Sequence, residues 1–399
     1  MSNQPKPNPR MIENHLPVQR LTPADGKQYF FGYFDKSPWN SAGRLLAHRT
    51  NFAKRQVRFG DIAEVGTLDG GVFTPVGETR AWCWQQGAML QWFDDESIIY
   101  NDFEDDHFVA HIVNLTNGRK RTLHRPIYCL SPDRKHALSL DFARLDRERP
   151  GYGYPGVWTP LLEKGWPDND GIWLIDLEND TSTLSVSLAR IVRDFPGLGS
   201  DQAVSWFNHI LISPDSRRFG FFHRWRHFGP WGPGVLSHIT HMFTANLDGS
   251  GLYPLNLEDM SSHYSWIDNQ RIINFSRRFA DGDRYHIFTD QSDRVETIGA
   301  EAFSGTGDGH CTWSLDARWM LTDSYPSARD TCRGLFLYDI AADRAFELGR
   351  FYADPSYVAP ARCDLHPRLS ADNREVCFDS IHEGFRGIYR VDVSEITGR

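Results

Sequence analysis

The sequence predicts an all-β fold, a seven-bladed β-propeller that forms a single domain over residues 1–399. Three observations support this prediction. Aromatic residues make up 13% of the chain, which also has 33 Gly and 22 Pro, and this composition suits short strands joined by turns. A strand–turn–strand pattern recurs seven times. A second hairpin-like pattern follows most copies, so each unit has the four strands of a propeller blade.

The repeated pattern is an apolar strand, a turn containing Asp, Asn or Gly, and a second apolar strand. The seven copies are SPWNSAGRLLAH (37–48), QWFDDESIIYND (91–102), LSPDRKHALSLD (130–141), ISPDSRRFGFFH (212–223), SWIDNQRIINFS (265–276), WSLDARWMLTDS (313–324) and LSADNREVCFDS (369–380). The longest gap between copies includes residues 144–170, which are rich in Gly, Pro and aromatic residues. We predict that this segment is an inserted loop over one face of the propeller.

The two ends of the chain are predicted to close the ring together. The last unit ends with RGIYRVDVSEITGR and lacks a fourth strand. The N-terminal stretch LPVQRLT (16–22) has the pattern of that missing strand. We therefore expect it to pair as the outer strand of the final blade, which ends near Val393.

Charge, cysteine content and the N-terminal stretch limit the classes of function. A net charge of −9 argues against a general nucleic-acid surface, so an acidic ligand would need a local basic pocket. The six cysteines have no CxxC spacing and lie mostly in apolar runs, which predicts buried free thiols in a reducing compartment. The sequence has no apolar signal segment, and no window approaches the ~20 apolar residues of a membrane span. We expect a cytoplasmic protein with no membrane span and no nucleic-acid partner.

Four histidines share one position in consecutive repeats. His209, His310 and His366 lie six residues before the turn Asp of their repeat, and His263 lies five before its own, in a turn that is one residue shorter. In a propeller this position begins the innermost strand, so the four rings should converge at the mouth of the central channel. Neutral imidazoles in such a cluster suit Mn, Zn, Ni or Fe, and Asp364 can add a carboxylate. The alternative is that each ring is a structural hydrogen-bonding group between blades, above all His209 in the apolar WFNHILI.

Basic and aromatic side chains accompany the histidines. An Arg fork pairs with a carboxylate, and the faces of Trp and Tyr stack on sugar rings. For any single Arg, a surface salt bridge is the competing interpretation. The candidate ligand contacts are Tyr152, Tyr154, Arg224, Trp225, Arg226, Tyr325, Arg362, Arg368 and Arg386.

Three stretches resemble motifs of oligogalacturonate lyase and related seven-bladed polysaccharide lyases: SHYSW (262–266), GHCTWS (309–314) and DLHPRLSADNREVCFDSIHEGFRGIY (364–389). The resemblance covers mainly the C-terminal half. It implies that His263 is catalytic and that His310 and His366 hold a divalent metal, typically Mn, with Zn, Ni or Ca as alternatives. Two further ligand positions of the family hold Asp364, which can bind a metal, and Ala361, which cannot.

The resemblance implies a lyase that cleaves an oligo- or polysaccharide containing uronic acid by metal-assisted β-elimination. That reaction needs a cation at the sugar carboxylate, a base of near-neutral pKa and an acid for the leaving oxygen. The metal with Arg224 or Arg226 would supply the cation, and His263 would be the base. Tyr264 or Tyr325 would be the acid.

Two other classes of function stay open. A non-catalytic propeller that binds glycans or acts as an assembly scaffold in a polysaccharide pathway would have the same fold. A hydrolase would use paired acidic residues, which occur in EDDHF (104–108) and DFARLDRERP (141–150).

Overall fold

The structure, a computed structural model, describes residues 8–198, 203–227, 238–327 and 330–399. Its strands form seven sheets, six of four strands and one of five. The protein is a seven-bladed β-propeller, as the repeats predict. The first strands of several neighbouring blades contact one another, which places these strands nearest the central channel.

Two short strands, β1 (Met11–Glu13) and β2 (Gln19–Arg20), precede the blades. In the first five blades the strands follow one another in chain order from the channel outward, and in the last two an N-terminal strand is added at the outer edge. The first three blades are built from β3 (Gln28–Phe30), β4 (Leu45–Thr50), β5 (Ala63–Asp69) and β6 (Val72–Thr79); β7 (Gln91–Trp92), β8 (Ser97–Glu104), β9 (His107–Asn114) and β10 (Lys120–Leu123); and β11 (Cys129–Leu130), β12 (His136–Ser139), β13 (Gly171–Asp176) and β14 (Thr181–Ser187).

The remaining four blades carry the histidines of the repeated position. Their strands are β15 (Ala203–Ile212), β16 (Arg218–His227), β17 (Ile239–Asn246) and β18 (Tyr253–Asn256); β19 (Ser261–Trp266), β20 (Arg271–Arg278), β21 (Gly282–Thr289) and β22 (Val295–Ile298); β23 (Thr312–Trp313), β24 (Trp319–Asp323), β25 (Cys332–Asp339) and β26 (Arg344–Tyr352); and β27 (Arg368–Leu369), β28 (Glu375–Ser380) and β29 (Gly387–Asp392).

The Asp that marks the repeats caps the turn between the first two strands of a blade. In four blades its Oδ1 accepts a hydrogen bond from the hydroxyl of the Ser two residues earlier, at 2.6 to 2.7 Å. The same oxygen also accepts from the backbone N–H two residues later. Such local side-chain bonds favour a turn over continued strand, which explains why the residue recurs at this point. The four residues are Asp133, Asp215, Asp316 and Asp372.

The N-terminal segment closes the ring as predicted. Strand β2 pairs antiparallel with β29 as the outer strand of the last blade, with Gln19 opposite Arg390 and Arg20 opposite Tyr389. Strand β1 runs parallel to β26 and makes the sixth blade five-stranded. The sequence analysis did not predict β1, because three residues are too few to show an alternating pattern. The segment therefore ties the last two blades together.

The predicted inserted loop at 144–170 lies between β12 and β13, and its first part is helical. Helix α1 (Phe142–Glu148) is capped by Asp141, whose carboxylate accepts from two N–H groups of the first turn. A 3-10 helix follows at Pro160–Glu163. The insertion is fixed by a buried ion pair between Arg144 and Asp170, 2.7 Å long.

Two more short helices, α2 (Leu188–Asp194) and α3 (Ser394–Thr397), complete the described elements. No helix in the described ranges has the length and apolar character that a membrane crossing requires. All six cysteines are free, and five of them are buried.

Candidate metal and catalytic site

The four histidines of the repeated position lie in one cluster. The ring of His263 is 4.1 Å from that of His310, and the ring of His310 is 4.5 Å from that of His366, between centroids. His209 is 6.0 Å from His263. Each residue is at most 5% exposed. Such a concentration of buried titratable groups is typical of a functional site.

Two of the four histidines have a left-handed backbone. The φ angle is +50° at His209 and +43° at His366. His209 lies within a β-bulge of β15, between Asn208 and Leu211. Residues other than Gly rarely adopt this conformation, and such strain concentrates where side chains must be aimed at a site.

Hydrogen bonds fix the tautomer of three of the rings. The Nδ1 atom of His263 lies 2.9 Å from Oδ1 of Asp308, and Nδ1 of His310 lies 2.8 Å from Oδ1 of Asp323. The Nδ1 atom of His366 lies 2.8 Å from the carbonyl oxygen of Gly32. A carboxylate or carbonyl oxygen only accepts, so each Nδ1 carries the proton. Each Nε2 is therefore unprotonated and carries the lone pair that a metal ligand or a general base requires.

The surroundings favour the neutral form of His263, His366 and His209. Burial lowers the pKa of His263, although the charge of Asp308 acts in the opposite direction. Burial also lowers the pKa of His366 and His209 well below the ordinary value, with nearby positive charges adding to the effect. A neutral imidazole is the form that binds a metal or accepts a proton.

His310, Asp364 and His366 could hold a metal ion. Their ligand atoms all lie within 4.8 Å of one another. The Nε2 atom of His366 is buried and has no hydrogen-bond partner. Two imidazole nitrogens and one carboxylate are a donor set that suits Mn, Zn and related divalent ions. The residues present therefore fit a divalent metal.

Two arginines hold the carboxylate of Asp364. Nη2 of Arg333 lies 2.8 Å from its Oδ1, and Nε of Arg362 lies 2.8 Å from its Oδ2. Burial alone would raise the pKa of Asp364, but the charges of Arg362 and Arg333 outweigh burial and lower it. Asp364 is therefore ionised inside the protein, where an unpaired carboxylate would be costly.

A second group of metal-binding residue types has a different character. Asp102, Glu104 and His111 lie close together on the second blade. The ammonium of Lys120 lies 3.2 Å from Nε2 of His111 and 2.9 Å from Glu104. Glu104 is therefore already paired with a cation, as Asp364 is in the first group.

Sequence reasoning missed Tyr33, which lies among the histidines. Its ring centroid is 5.0 Å from that of His209 and 4.7 Å from that of His366. The preceding Gly32 has a φ of +134°, and a Cβ there would lie 3.0 Å from the carbonyl oxygen of Gln86. Any side chain at position 32 would crowd the backbone at Gln86, which favours Gly there. The sequence did contain one signal for Tyr33. Its neighbour Phe34 lies six residues before Asn40, which caps the turn of the first blade, and so occupies the position that His holds in the later repeats.

Asp308 and Asp323, the carboxylates behind His263 and His310, were also missed. Asp323 is the last residue of β24. It lies seven residues after the turn residue Asp316, and in the next repeat Asp379 lies seven residues after the turn residue Asp372. That recurrence was a usable signal. Asp308 lies in the segment between β22 and β23, outside the repeated pattern, and nothing in the sequence marks it.

Several predicted contacts do lie beside the cluster. The hydroxyl of Tyr325 is 3.3 Å from Nε2 of His310. The ring of Tyr152, from the insertion, is 5.8 Å from that of His209, and Arg362 donates to the Tyr152 hydroxyl at 2.9 Å. Arg224 is 4% exposed, and its charge contributes to the lowered pKa of His209.

Most of the other predicted contacts are engaged with structural partners. The hydroxyl of Tyr264 donates to the carbonyl of His209 at 2.6 Å, and Arg226 pairs with Glu148 at 2.9 Å. Trp225 follows Arg224 on β16 and therefore faces the opposite side of the sheet. The remaining three are similarly engaged: Tyr154 with Asn101, Arg368 with Asp379, and Arg386 with the carbonyl of Ala361.

His209 also stands apart from the three residues with metal-ligand spacing. Its Nε2 lies 3.4 Å from the hydroxyl of Tyr33, and its ring stacks on the Tyr33 ring. Its predicted role as a metal ligand stays a prediction.

Solved structures with the same fold include two oligogalacturonate lyases. The enzyme from Vibrio parahaemolyticus is 17% identical, with a TM-score of 0.64, over 96% of this chain and 94% of that one. A second oligogalacturonate lyase, in complex with manganese, is also 17% identical, with a TM-score of 0.61 and the same coverage. The chain shares the fold of oligogalacturonate lyase.

The oligogalacturonate lyase fold is not restricted to one chemistry. The match to the tricorn protease covers 92% of this chain and 34% of the protease chain, at 12% identity and a TM-score of 0.54. No family model and no curated protein matches the sequence. At these identities the likeness establishes the fold, and the function must be argued from the site.

Proposed function

We propose that the protein is a polysaccharide lyase that cleaves a uronic-acid-containing oligo- or polysaccharide by β-elimination. The observation that carries the proposal is the tautomer arrangement of His263, His310 and His366, which leaves three Nε2 lone pairs in one buried cluster. The resemblance to oligogalacturonate lyase in motifs and in fold supports the same chemistry. The substrate partner is an acidic oligosaccharide.

Elimination begins with removal of the proton next to the sugar carboxylate. The carboxylate must be neutralised, because negative charge accumulates on it as that proton leaves. A divalent ion held by His310, Asp364 and His366 would supply Lewis-acid neutralisation of this group when bound. Manganese is our first choice, with Zn, Ni or Ca as alternatives. The guanidinium of Arg362 lies at the same place, 2.8 Å from Asp364, and can donate to the substrate carboxylate as well.

His263 is the residue that we propose as the base. Its Nδ1–H is held by Asp308 at 2.9 Å, so Nε2 accepts the proton and Asp308 stabilises the resulting imidazolium. The electron pair of the broken C–H bond forms the new double bond, and the bond to the 4-linked oxygen breaks.

The leaving oxygen then needs a proton. Tyr325 is our choice of donor, because its hydroxyl reaches the cluster at 3.3 Å from Nε2 of His310 and its ring lies 6.3 Å from that of His263. Tyr264 is less suitable, because its hydroxyl is committed to the carbonyl of His209.

The test is a screen of acidic oligosaccharides, read by ultraviolet absorbance of the new conjugated double bond. The protein is supplied in turn with Mn, Zn, Ni or Ca. We expect product from at least one uronic-acid oligomer, and none from its carboxyl-reduced form. If no unsaturated product forms from any uronide with any of these ions, the glycan-binding or assembly propeller becomes the better account.

The free thiols support the expected reducing, cytoplasmic location. The screen therefore includes short oligomers as well as polymers, because a cytoplasmic lyase would meet fragments that have been taken up.

A further inference from the structure

The charges at the proposed metal site are already balanced. With its imidazoles neutral, the site has two buried carboxylates: Asp364 among the proposed ligands, and Asp323, whose Oδ1 lies 2.8 Å from Nδ1 of His310. Both acidic residues are at most 2% exposed. Arg333 and Arg362 each contact Asp364 at 2.8 Å. The site therefore holds two negative and two positive charges before any ion binds.

Among the described residues, Asp364 is the only carboxylate paired with either arginine. Arg362 also donates a hydrogen bond to the neutral hydroxyl of Tyr152, at 2.9 Å. Arg333 lies on β25 and is 6% exposed, and its Nε and Nη1 atoms are buried without a hydrogen-bond partner. The guanidinium of Arg333 lies 5.4 Å from the ring centroid of Tyr325. Both positive charges are therefore fixed beside Asp364.

The carboxylate of Asp364 keeps lone pairs for a metal despite both arginines. Nε of Arg362 donates a hydrogen bond to Oδ2. Nη2 of Arg333 is equally close to Oδ1, but the angles are not those of a hydrogen bond, and Oδ1 has no hydrogen-bond partner. A carboxylate oxygen has two lone-pair sites. Asp364 can therefore bind an ion while both arginines stay in place.

Other charged groups near the cluster do not supply the negative charge that a divalent ion needs. Arg368 is paired with Asp379 at 3.1 Å. Asp308 adds a negative charge at the proposed base, and Arg149 and Arg224 add positive charge around the fourth histidine. A divalent ion would thus bring two uncompensated positive charges into a buried site, which is costly.

We infer that a divalent ion and a carboxylate bind to this site together, and that each strengthens the binding of the other. The incoming carboxylate supplies the negative charge that Asp364 already shares with Arg333 and Arg362. In the proposed function, on which this inference rests, that carboxylate is the uronic acid of the substrate. The ion is therefore held most tightly when substrate is present, and it exchanges more readily in the free protein.

Manganese titrations of the wild-type protein measure this coupling directly. Free Mn is followed by electron paramagnetic resonance in the presence of a uronic acid monosaccharide, which has no 4-linked sugar to expel, or of the same sugar reduced at its carboxyl. We expect the dissociation constant for Mn to be at least tenfold lower with the uronic acid, which corresponds to about 1.4 kcal/mol. By linkage, Mn should tighten the binding of the uronic acid by the same factor.

Variants at Arg333 test whether its charge sets the coupling. Arg333→Met removes one positive charge beside Asp364, so without a carboxylate it should bind Mn at least tenfold more tightly than the wild type does, and the uronic acid should add less. Arg333→Lys keeps the charge and should keep the wild-type coupling. Arg144→Met is the matched control, because Arg144 is equally buried and is paired with Asp170 within the insertion. It should leave Mn binding unchanged.

The outcomes separate the coupling from the proposed function. Equal Mn affinity with the uronic acid and with its reduced form overturns the coupling and leaves the lyase proposal intact, and this comparison needs no variant to fold. An unchanged coupling in Arg333→Met overturns the role of its charge. If the wild type binds Mn with neither sugar, the coupling and the metal-assisted mechanism are both overturned. Coupling together with a negative absorbance screen supports the coupling and rejects the lyase.

Discussion

His263 and Asp308 are joined by a 2.9 Å contact between Nδ1 and Oδ1. Asp308 also accepts a hydrogen bond from the hydroxyl of Ser262, so its carboxylate is fixed on both sides. The pair orients the ring and fixes its tautomer, which makes Asp308 a positioning residue for the proposed base.

Asp308→Ala should lower kcat roughly 10²-fold without loss of bound metal, because the base loses its orientation while the proposed ligands stay. Steady-state kinetics and metal analysis of the purified variant check this. Asp283→Ala is the matched control, because that Asp pairs with Arg277 at the surface and should change neither quantity. Wild-type kcat in Asp308→Ala would remove the His263–Asp308 pair from the mechanism.

Stability should depend on pH through His223, which lies on β16 away from the site. Both of its ring nitrogens are buried without partners, and burial lowers its pKa to about 3. In the unfolded chain its pKa is about 6.5, so between these values the unfolded state binds a proton that the native state does not. The free energy of unfolding contributed by this ring therefore falls as pH decreases through that window, by at most about 1.4 kcal/mol per pH unit.

His223→Leu should accordingly reduce the drop in melting temperature between pH 7 and pH 5. The variant should also melt higher at pH 7, because two unsatisfied polar atoms are removed from the interior. His107→Leu, at an exposed position, serves as the control and should leave the pH dependence unchanged. An identical pH dependence in His223→Leu and wild type would contradict this assignment.

Deletion of residues 1–22 should destabilise the protein, because it removes β1 and β2 and leaves the edges of two blades open. A loss of a few kcal/mol corresponds to a decrease in melting temperature of roughly 5 °C or more. Deletion of residues 1–14, which removes β1 and keeps β2, should have a smaller effect. A full deletion variant that melts like the intact chain would show that closure contributes little.

The fold was predictable from the sequence because each blade repeats the same local chemistry. An Asp-capped turn joins the first two strands of every blade from the second on. The shortened last unit implied a strand from the N-terminus. The β1 strand was not predictable, since its pairing with β26 depends on where closure places the segment and not on any pattern in Met11–Glu13.

The residues of the candidate site that occupy a repeated position in the blades were predictable, and those that come from other segments were harder to predict. The common position of His209, His263, His310 and His366 placed four rings together. Tyr33 enters from the first blade, where the aligned residue is not His, and Asp308 comes from a segment between blades. Arginines and tyrosines were harder to place, because the sequence does not reveal which partner a side chain meets. Arg224 and Arg226 face the same side of β16, yet only Arg226 is paired with Glu148.

The central claim is that His263 accepts the proton while His310 and His366 hold the metal, and one experiment separates these roles. Metal content, oligosaccharide binding and turnover are measured together for His263→Ala and His366→Ala. His366→Ala should lose bound metal and turnover together, because the remaining ligands hold a divalent ion poorly. His263→Ala should keep the metal and bind the oligosaccharide, with turnover reduced by a factor of roughly 10² to 10⁴, the contribution of a positioned base. Loss of metal in His263→Ala, or wild-type turnover in that variant, would contradict the claim.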